Sequence, residues 1–260
     1  MAEVIVVETP AEAGAFVAAH IAAQVRTSPE FTLGVATGST PLPVYEALRA
    51  EAQAGTDFTR MTAFALDEYV GLPAGHPESY RAVVDREVTV PLGLDPARVH
   101  VPDGSAEGIE TAGERYEEAL CAHGGVDLQL LGIGRTGHLG FNEPGSSFGS
   151  LTRVKTLTER TREDNARFFD SLDQVPVHCV TQGLGTILRA RHLVLLAFGE
   201  SKAEALAAAV EGPVSASMPG SAIQLHPRVT VVVDPGAASR LRFADYYRWA
   251  QDNKPDWQGI

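Results

Sequence analysis

His138 and Glu143 share one loop-like run, Gly132-Ile133-Gly134-Arg135-Thr136-Gly137-His138-Leu139-Gly140-Phe141-Asn142-Glu143-Pro144-Gly145. A histidine can pass protons near neutral pH, and a nearby carboxylate can orient it or tune it. The spacing is not HExxH and no further ligand cluster accompanies it, so proton transfer is expected here rather than metal binding. A second pair of carboxylates, Asp67 and Glu68, opens the run Asp67-Glu68-Tyr69-Val70-Gly71-Leu72. Adjacent side chains of an extended segment point in opposite directions, so at most one of the two faces a substrate as general base; the bland alternative is a solvated acidic loop. Thr37-Gly38-Ser39-Thr40-Pro41 is a third candidate. A glycine, two hydroxyls and a proline at a helix start suit an anion such as phosphate, although the run is neither GxGxxG nor a Walker A loop. Lys202 falls in the first turn of an expected helix, where a cation opposes the macrodipole. Residues 152–169 carry Arg153, Lys155, Arg160, Arg162 and Arg167, a basic island that reads equally as a solvated helix face.

These residues need a frame, and the hydrophobic pattern supplies one. Val4-Ile5-Val6-Val7 reads as a buried strand, followed by a capping-box signal at Thr9-Pro10-Ala11-Glu12 and a helical face of Val17, Ile21 and Val25. Strand and helix then alternate. Residues 33–36, 62–66, 128–131, 192–198 and 229–233 read as strands, and residues 41–53, 106–123, 201–210 and 237–251 as helices. Strands separated by helices favour an α/β fold, with a mainly parallel sheet covered on both faces, in a single domain spanning residues 1–260. Ligands of such sheets bind beyond the carboxyl ends of the strands. Asp67, the Gly38 loop, the His138 loop and Lys202 all follow strands.

Bulk properties narrow the function. The chain has 260 residues, 44% hydrophobic, and 33 acidic against 21 basic side chains, a net charge of −12. A nucleic-acid partner is not expected, because such binding needs a basic surface; an anionic ligand needs a locally positive pocket. Two cysteines without CxxC spacing, Cys121 and Cys179, read as free thiols. No apolar run reaches the length of a membrane span and the first residues do not read as a signal peptide, so a cytoplasmic protein without membrane contact is expected.

Together the motifs closely resemble those of the isomerising glucosamine-6-phosphate deaminase family. The matching stretches are ATGSTPLPVYEAL at 36–48, LDEYVGLPAGHPESY at 66–80, GIGRTGHLGFNEPGSS at 132–147, TRVKTLTERTREDNARFF at 152–169, GESKAEALAAAVEG at 199–212 and SAIQLHP at 221–227. The resemblance implies a Rossmann-like fold, no metal or organic cofactor, and a reaction that opens the pyranose, moves a proton from C2 to C1 and expels ammonia. By motif position, Asp67 resembles the base, His138 the ring-opening acid/base and Glu143 its paired carboxylate. Gly38, Ser39, Thr40, Arg167 and Lys202 resemble the phosphate cradle, with Glu68 and Gly137 as further substrate contacts. Thr136 stands where many relatives have Asp; it can hydrogen-bond to the histidine but brings no charge. Arg153 and Lys155 match an allosteric site between subunits that binds N-acetylglucosamine 6-phosphate in some relatives, implying a homo-oligomer, while Leu151 replaces a basic residue there. Competing readings are a galactosamine-6-phosphate deaminase, a 6-phosphogluconolactonase and a non-catalytic sugar-phosphate sensor.

Overall fold

The computed structural model describes residues 2–255 and 257–260. Ten strands occur among them: β1 (Glu3–Val6), β2 (Thr32–Val35), β3 (Thr62–Ala65), β4 (Asp67–Tyr69), β5 (Val99–His100), β6 (Leu128–Gly132), β7 (Arg153–Thr156), β8 (His178–Thr181), β9 (Leu193–Ala197) and β10 (Val229–Val233). Seven form a sheet in the order β1-β10-β9-β6-β2-β3-β5, and every pairing in it is parallel. Its central strands are buried on both faces by helices, and β9, Leu193–Ala197, is apolar throughout. In β9, Val194 and Leu196 join a core with Val17, Ile21 and Leu48 on one face, while Leu193 and Leu195 meet Tyr116, Leu120 and Leu206 on the other. The α/β class and the mainly parallel sheet expected from the alternation are what the chain adopts.

The strand order reverses between β2 and β6. From β2 the chain works outward through β3 to β5; from β6 it works outward the other way through β9 to β10. The loops leaving β2 and β6 therefore separate and open a crevice, the usual ligand site of such a sheet.

A second sheet, β4-β8-β7, is antiparallel. It corrects two expectations. Residues 67–69 are a short buried strand rather than a solvated loop, with Asp67 opposite Thr181. Residues 152–169 are not one helix face: β7 leads into a helix at Glu159–Asn165 and a 3-10 turn at Ala166–Phe168. The final helix is also interrupted, giving Pro235–Ala238 and Ala244–Asp252. Buried Leu241 lies between them, and the Glu211 carboxylate accepts the backbone N–H groups of Arg242 and Phe243 at 2.8 and 3.0 Å, just ahead of the second piece. The helix expected over residues 106–123 begins at Ile109. At Thr9 the hydroxyl accepts from Glu12 N as a capping box requires, but Glu12 reaches back to Glu8 N instead of to Thr9.

The helices Pro10–Thr27 and Leu42–Gln53 pack against each other beside the crevice, and Gly14 is where they come closest. A Cβ on Gly14 would lie 2.3 Å from the Pro43 carbonyl oxygen, in the first turn after the Gly38 loop. Gly14→Ala is therefore expected to destabilise the fold by about 1–3 kcal/mol, the usual range for overpacking, with a lower urea midpoint as the measurement.

Candidate active site

Three strand-end loops converge on a cleft of about 860 Å³ at the switch point. Thr37, Gly38, Ser39 and Thr40 line it from the end of β2. Gly38 adopts φ +90°, a turn conformation that suits glycine. The Tyr45 hydroxyl fixes this loop by donating to Ala36 O at 2.7 Å and accepting from Ala36 N at 3.1 Å. The following helix starts at Leu42 with no side-chain cap; Pro43 has no N–H and Val44 N–H donates to Pro41 O at 2.9 Å, which leaves Leu42 N–H available near the loop.

Asp67 lines the cleft from the start of β4 and is only 5% exposed. Among the described residues its carboxyl takes no hydrogen bond. Burial, reinforced by the neighbouring charge of Glu68, pushes it up to about 8. Gly140, at φ +55°, is what lets the His138 loop close over it: a Cβ there would stand 3.2 Å from Asp67 Oδ2 and 3.0 Å from Thr181 Oγ1. Glu68 points the other way, as strand alternation requires. Its carboxylate accepts the backbone N–H groups of Tyr69, Tyr80 and Arg81, each at 2.8 Å, and it does not line the cleft. Burial raises its pKa, and those three amide donors work against the rise. The structure thus places the expected substrate contact Glu68 away from the cleft, where its carboxylate caps the helix Tyr80–Val84 and ties it to β4.

His138 lines the cleft from the β6 loop. Its Nδ1 lies 2.9 Å from Thr136 Oγ1 and 3.6 Å from Glu143 Oε2, and the Thr136 hydroxyl is also 3.2 Å from Glu143 Oε2. Thr136 therefore sits between histidine and carboxylate, facing both. The other carboxylate oxygen, Glu143 Oε1, accepts from Thr158 Oγ1 at 3.1 Å and from Thr161 Oγ1. Burial opposes ionisation of Glu143, but the approach of His138 and the threonine hydroxyls outweigh it and hold the group down at about 2. Gly137 does not line the cleft. It packs on Met218, where a Cβ would fall 2.0 Å from the sulfur, and its carbonyl accepts from Gly220 N at 2.7 Å. The expected substrate contact at Gly137 becomes a packing position that seats the loop on the turn Pro219–Leu225.

The cations arrive from two sides. Lys202 closes the 3-10 turn Glu200–Lys202 and donates from Nζ to Ile133 O at 2.9 Å. Burial, with Arg167 and Arg135 nearby, lowers its pKa against the opposing pull of Asp164. Arg167 lines the cleft with its guanidinium 4.7 Å from the Phe168 ring centroid. Arg153 and Lys155 lie outside the cleft on β7. Cleft residues that the motifs did not single out include Arg135, Asp164, Tyr80 and Phe141. Tyr80 and Phe141 stack with ring centroids 6.0 Å apart, a pairing across two loops with no local sequence signal. Arg135 lay within a noted motif, but nothing in its spacing marked it.

Residues 7–232 match the family model described as glucosamine-6-phosphate isomerases/6-phosphogluconolactonase. A glucosamine-6-phosphate deaminase of Streptomyces avermitilis is 60% identical across 99% of this chain and 100% of its own. Among solved structures, a monomeric glucosamine-6-phosphate deaminase superposes with a TM-score of 0.89 at 41% identity, covering 92% of this chain and 99% of that one. A 6-phosphogluconolactonase from Trypanosoma cruzi shares the fold alone, with a TM-score of 0.74 at 21% identity over 93% of this chain and 97% of its own.

The Glu143 network makes a signed prediction. Its folded pKa lies below its unfolded value, so its ionised form stabilises the fold above pH 4.5 and that contribution disappears as pH falls towards 2. Glu143→Gln is expected to cost about 1–3 kcal/mol at pH 7. Thermal unfolding measured against pH should show the gap to wild type closing below pH 4.5.

Proposed function

Because the chain belongs to the family of glucosamine-6-phosphate isomerases and 6-phosphogluconolactonases, we propose that it is the enzyme that converts D-glucosamine 6-phosphate and water into D-fructose 6-phosphate and ammonia. The observation that carries this reading is Asp67: a buried carboxyl open to the cleft, unpartnered among the described residues and pushed up to about 8. Lactone hydrolysis has no need of such a base, whereas a 1,2 proton transfer depends on one.

The chemistry follows from the placement. The sugar phosphate binds at the Gly38-Ser39-Thr40 loop with Lys202 and Arg167, against the overall negative charge of the chain. The backbone N–H groups of the Gly38-Ser39-Thr40 loop, Leu42 N–H and the two cations supply the local positive potential. His138, oriented by Thr136 and Glu143, moves the proton that opens the pyranose. Asp67 removes the C2 proton and the charge spreads into an enolamine. The same carboxyl returns the proton to C1, leaving an iminium at C2; water adds there and ammonia departs. A carboxyl whose pKa is raised is a stronger base than an ordinary aspartate once ionised, so burial serves the difficult step. Binding energy from the phosphate holds C1 and C2 against Asp67. No step calls on a metal or organic cofactor, nucleic acid or a membrane. The two cysteines are unpaired, in keeping with a cytoplasmic enzyme acting as one domain.

Regulation is a second part of the proposal. Arg153 and Lys155 lie on β7, outside the cleft at the edge of the small sheet, where a homo-oligomer contact would complete an effector site. Sedimentation velocity and substrate curves with and without N-acetylglucosamine 6-phosphate test it: a monomer with an unmoved hyperbolic curve removes this part.

Ammonia release from glucosamine 6-phosphate, run beside galactosamine 6-phosphate and 6-phosphogluconolactone, tests the reaction itself. Asp67→Asn is expected to lower kcat by about 10²–10⁴-fold, the usual contribution of a general base. For wild type, kcat/KM should rise with pH through about 8 as the free carboxyl ionises. The same shift has a stability sign. A folded pKa above the unfolded value favours the fold at low pH, and this contribution is lost as pH rises from about 4 through about 8. Asp67→Asn should therefore melt higher than wild type at pH 9, with little advantage at pH 4. Activity retained in the variant would remove Asp67 as base.

A further inference from the structure

Arg135 and Asp164 face each other across the mouth of the cleft. Arg135 lies in the loop after β6, and Asp164 near the end of the helix Glu159–Asn165; both line the cleft with Lys202 and Arg167. Arg135 Nε is 3.2 Å from Asp164 Oδ2, and its second nitrogen meets Oδ1 in a paired arrangement. The two side chains are 46% and 35% exposed, so the pair adds little to folding. Nor is it needed to hold the helix. Arg162, on the same helix, donates to Leu172 O and Val175 O at 2.9 Å, while Thr158 and Thr161 tie its start to Glu143.

Arg135 shares a short segment with the Lys202 anchor, since Lys202 Nζ donates to Ile133 O two residues earlier. Three cations thus border one part of the cleft, and Asp164 is the carboxylate that partners one of them. The guanidinium fork that grips a carboxylate with two parallel N–H groups fits two phosphate oxygens in the same way. A carboxylate within the cluster occupies donors that an arriving dianion would use. The depressed pKa of Lys202, to which Arg135 contributes, is the electrostatic sign that these groups share a field.

We propose that Arg135 is a third cation of the phosphate subsite, held by Asp164 while the site is empty and exchanged to the phosphate when substrate enters. The inference rests on the sugar-phosphate reading above and names a binding residue that the motif positions did not. The exchange makes opposite predictions for its two members. Removing the arginine takes away a ligand; removing the aspartate takes away a competitor.

The test uses inorganic phosphate as probe, titrated by calorimetry at pH 7.5 into wild type, Arg135→Gln and Asp164→Asn, each checked for an unchanged melting profile. Arg135→Gln is expected to weaken phosphate roughly tenfold, the loss of one charge-assisted contact. Asp164→Asn is expected to tighten it several-fold. With glucosamine 6-phosphate the same variants should move KM in those opposite directions by more than they move kcat. Weakening by both substitutions would show that the pair only shapes the loop, and no change in either would show that phosphate never reaches Arg135; each overturns the proposal. Wild-type ammonia release is measured separately, so failure of the deaminase reading is distinguishable from failure of the exchange.

Discussion

Leu66 belongs to two hydrogen-bond systems at once. Its N–H donates to Val35 O in the parallel sheet, and its carbonyl accepts from Gln182 N at the end of the antiparallel sheet. The chain is handed from one sheet to the other within a single residue, and the next side chain is Asp67. That hand-over brings a carboxyl to a buried strand start instead of leaving it on a flexible loop. Burial then penalises its charge, and the surrounding features respond to that penalty. Glu68 is turned away and its charge met by three backbone amides. The His138 loop passes over Asp67 at a glycine. Asp67 keeps its lone pairs uncommitted towards the cleft, which is the condition for taking a proton from carbon.

Asp67 and Glu143 are driven in opposite directions by their surroundings, Asp67 upward by burial and Glu143 downward by histidine and hydroxyl donors. Groups separated in this way divide their roles, one kept available for proton transfer and one kept charged. Thr136 fits that division. A hydroxyl between His138 and Glu143 can satisfy both without adding a second anion beside a carboxylate already committed to ionisation. The end of the cleft at the Gly38 loop has a different logic: backbone and a small number of cations, Lys202 and Arg167 among them, gather there within a chain of net charge −12.

Much of this was legible because it is local. Runs such as Val229–Val233 announce buried strands, and strand-end loops in an α/β sheet announce where ligands bind. What the sequence concealed is non-local. The strand at Asp67–Tyr69 exists because it pairs with β8 more than a hundred residues away, and three residues carry too little pattern to show it. β7 reads as polar because one of its edges is free and its side chains are half covered. At the break in the last helix two backbone N–H groups are held by Glu211, about thirty residues earlier, a partner with no local signal. The direction of Glu68 was hidden for a related reason: strand alternation said that one carboxylate must turn away, and only the backbone amides at Tyr80 and Arg81 explain where it goes. Gly137 looked like a ligand contact because it neighbours His138, whereas its neighbour in space is Met218.

The strand order also carries a consequence for how the molecule forms. β1 has one neighbour in its sheet, β10, and the two are separated by more than two hundred residues. The β2–β3 and β6–β9 pairs bring together segments much closer along the chain, so they close smaller loops at lower entropic cost. β1 joins the sheet only through β10, which in turn pairs with β9. During synthesis, then, Val4-Ile5-Val6 is made before the other nine strands described and its partner β10 after them, so it is an apolar segment that waits for its pairing. High contact order of this kind slows folding and exposes the waiting strand to wrong partners, so the β1 edge of the sheet carries a folding cost that the strands around the crevice do not.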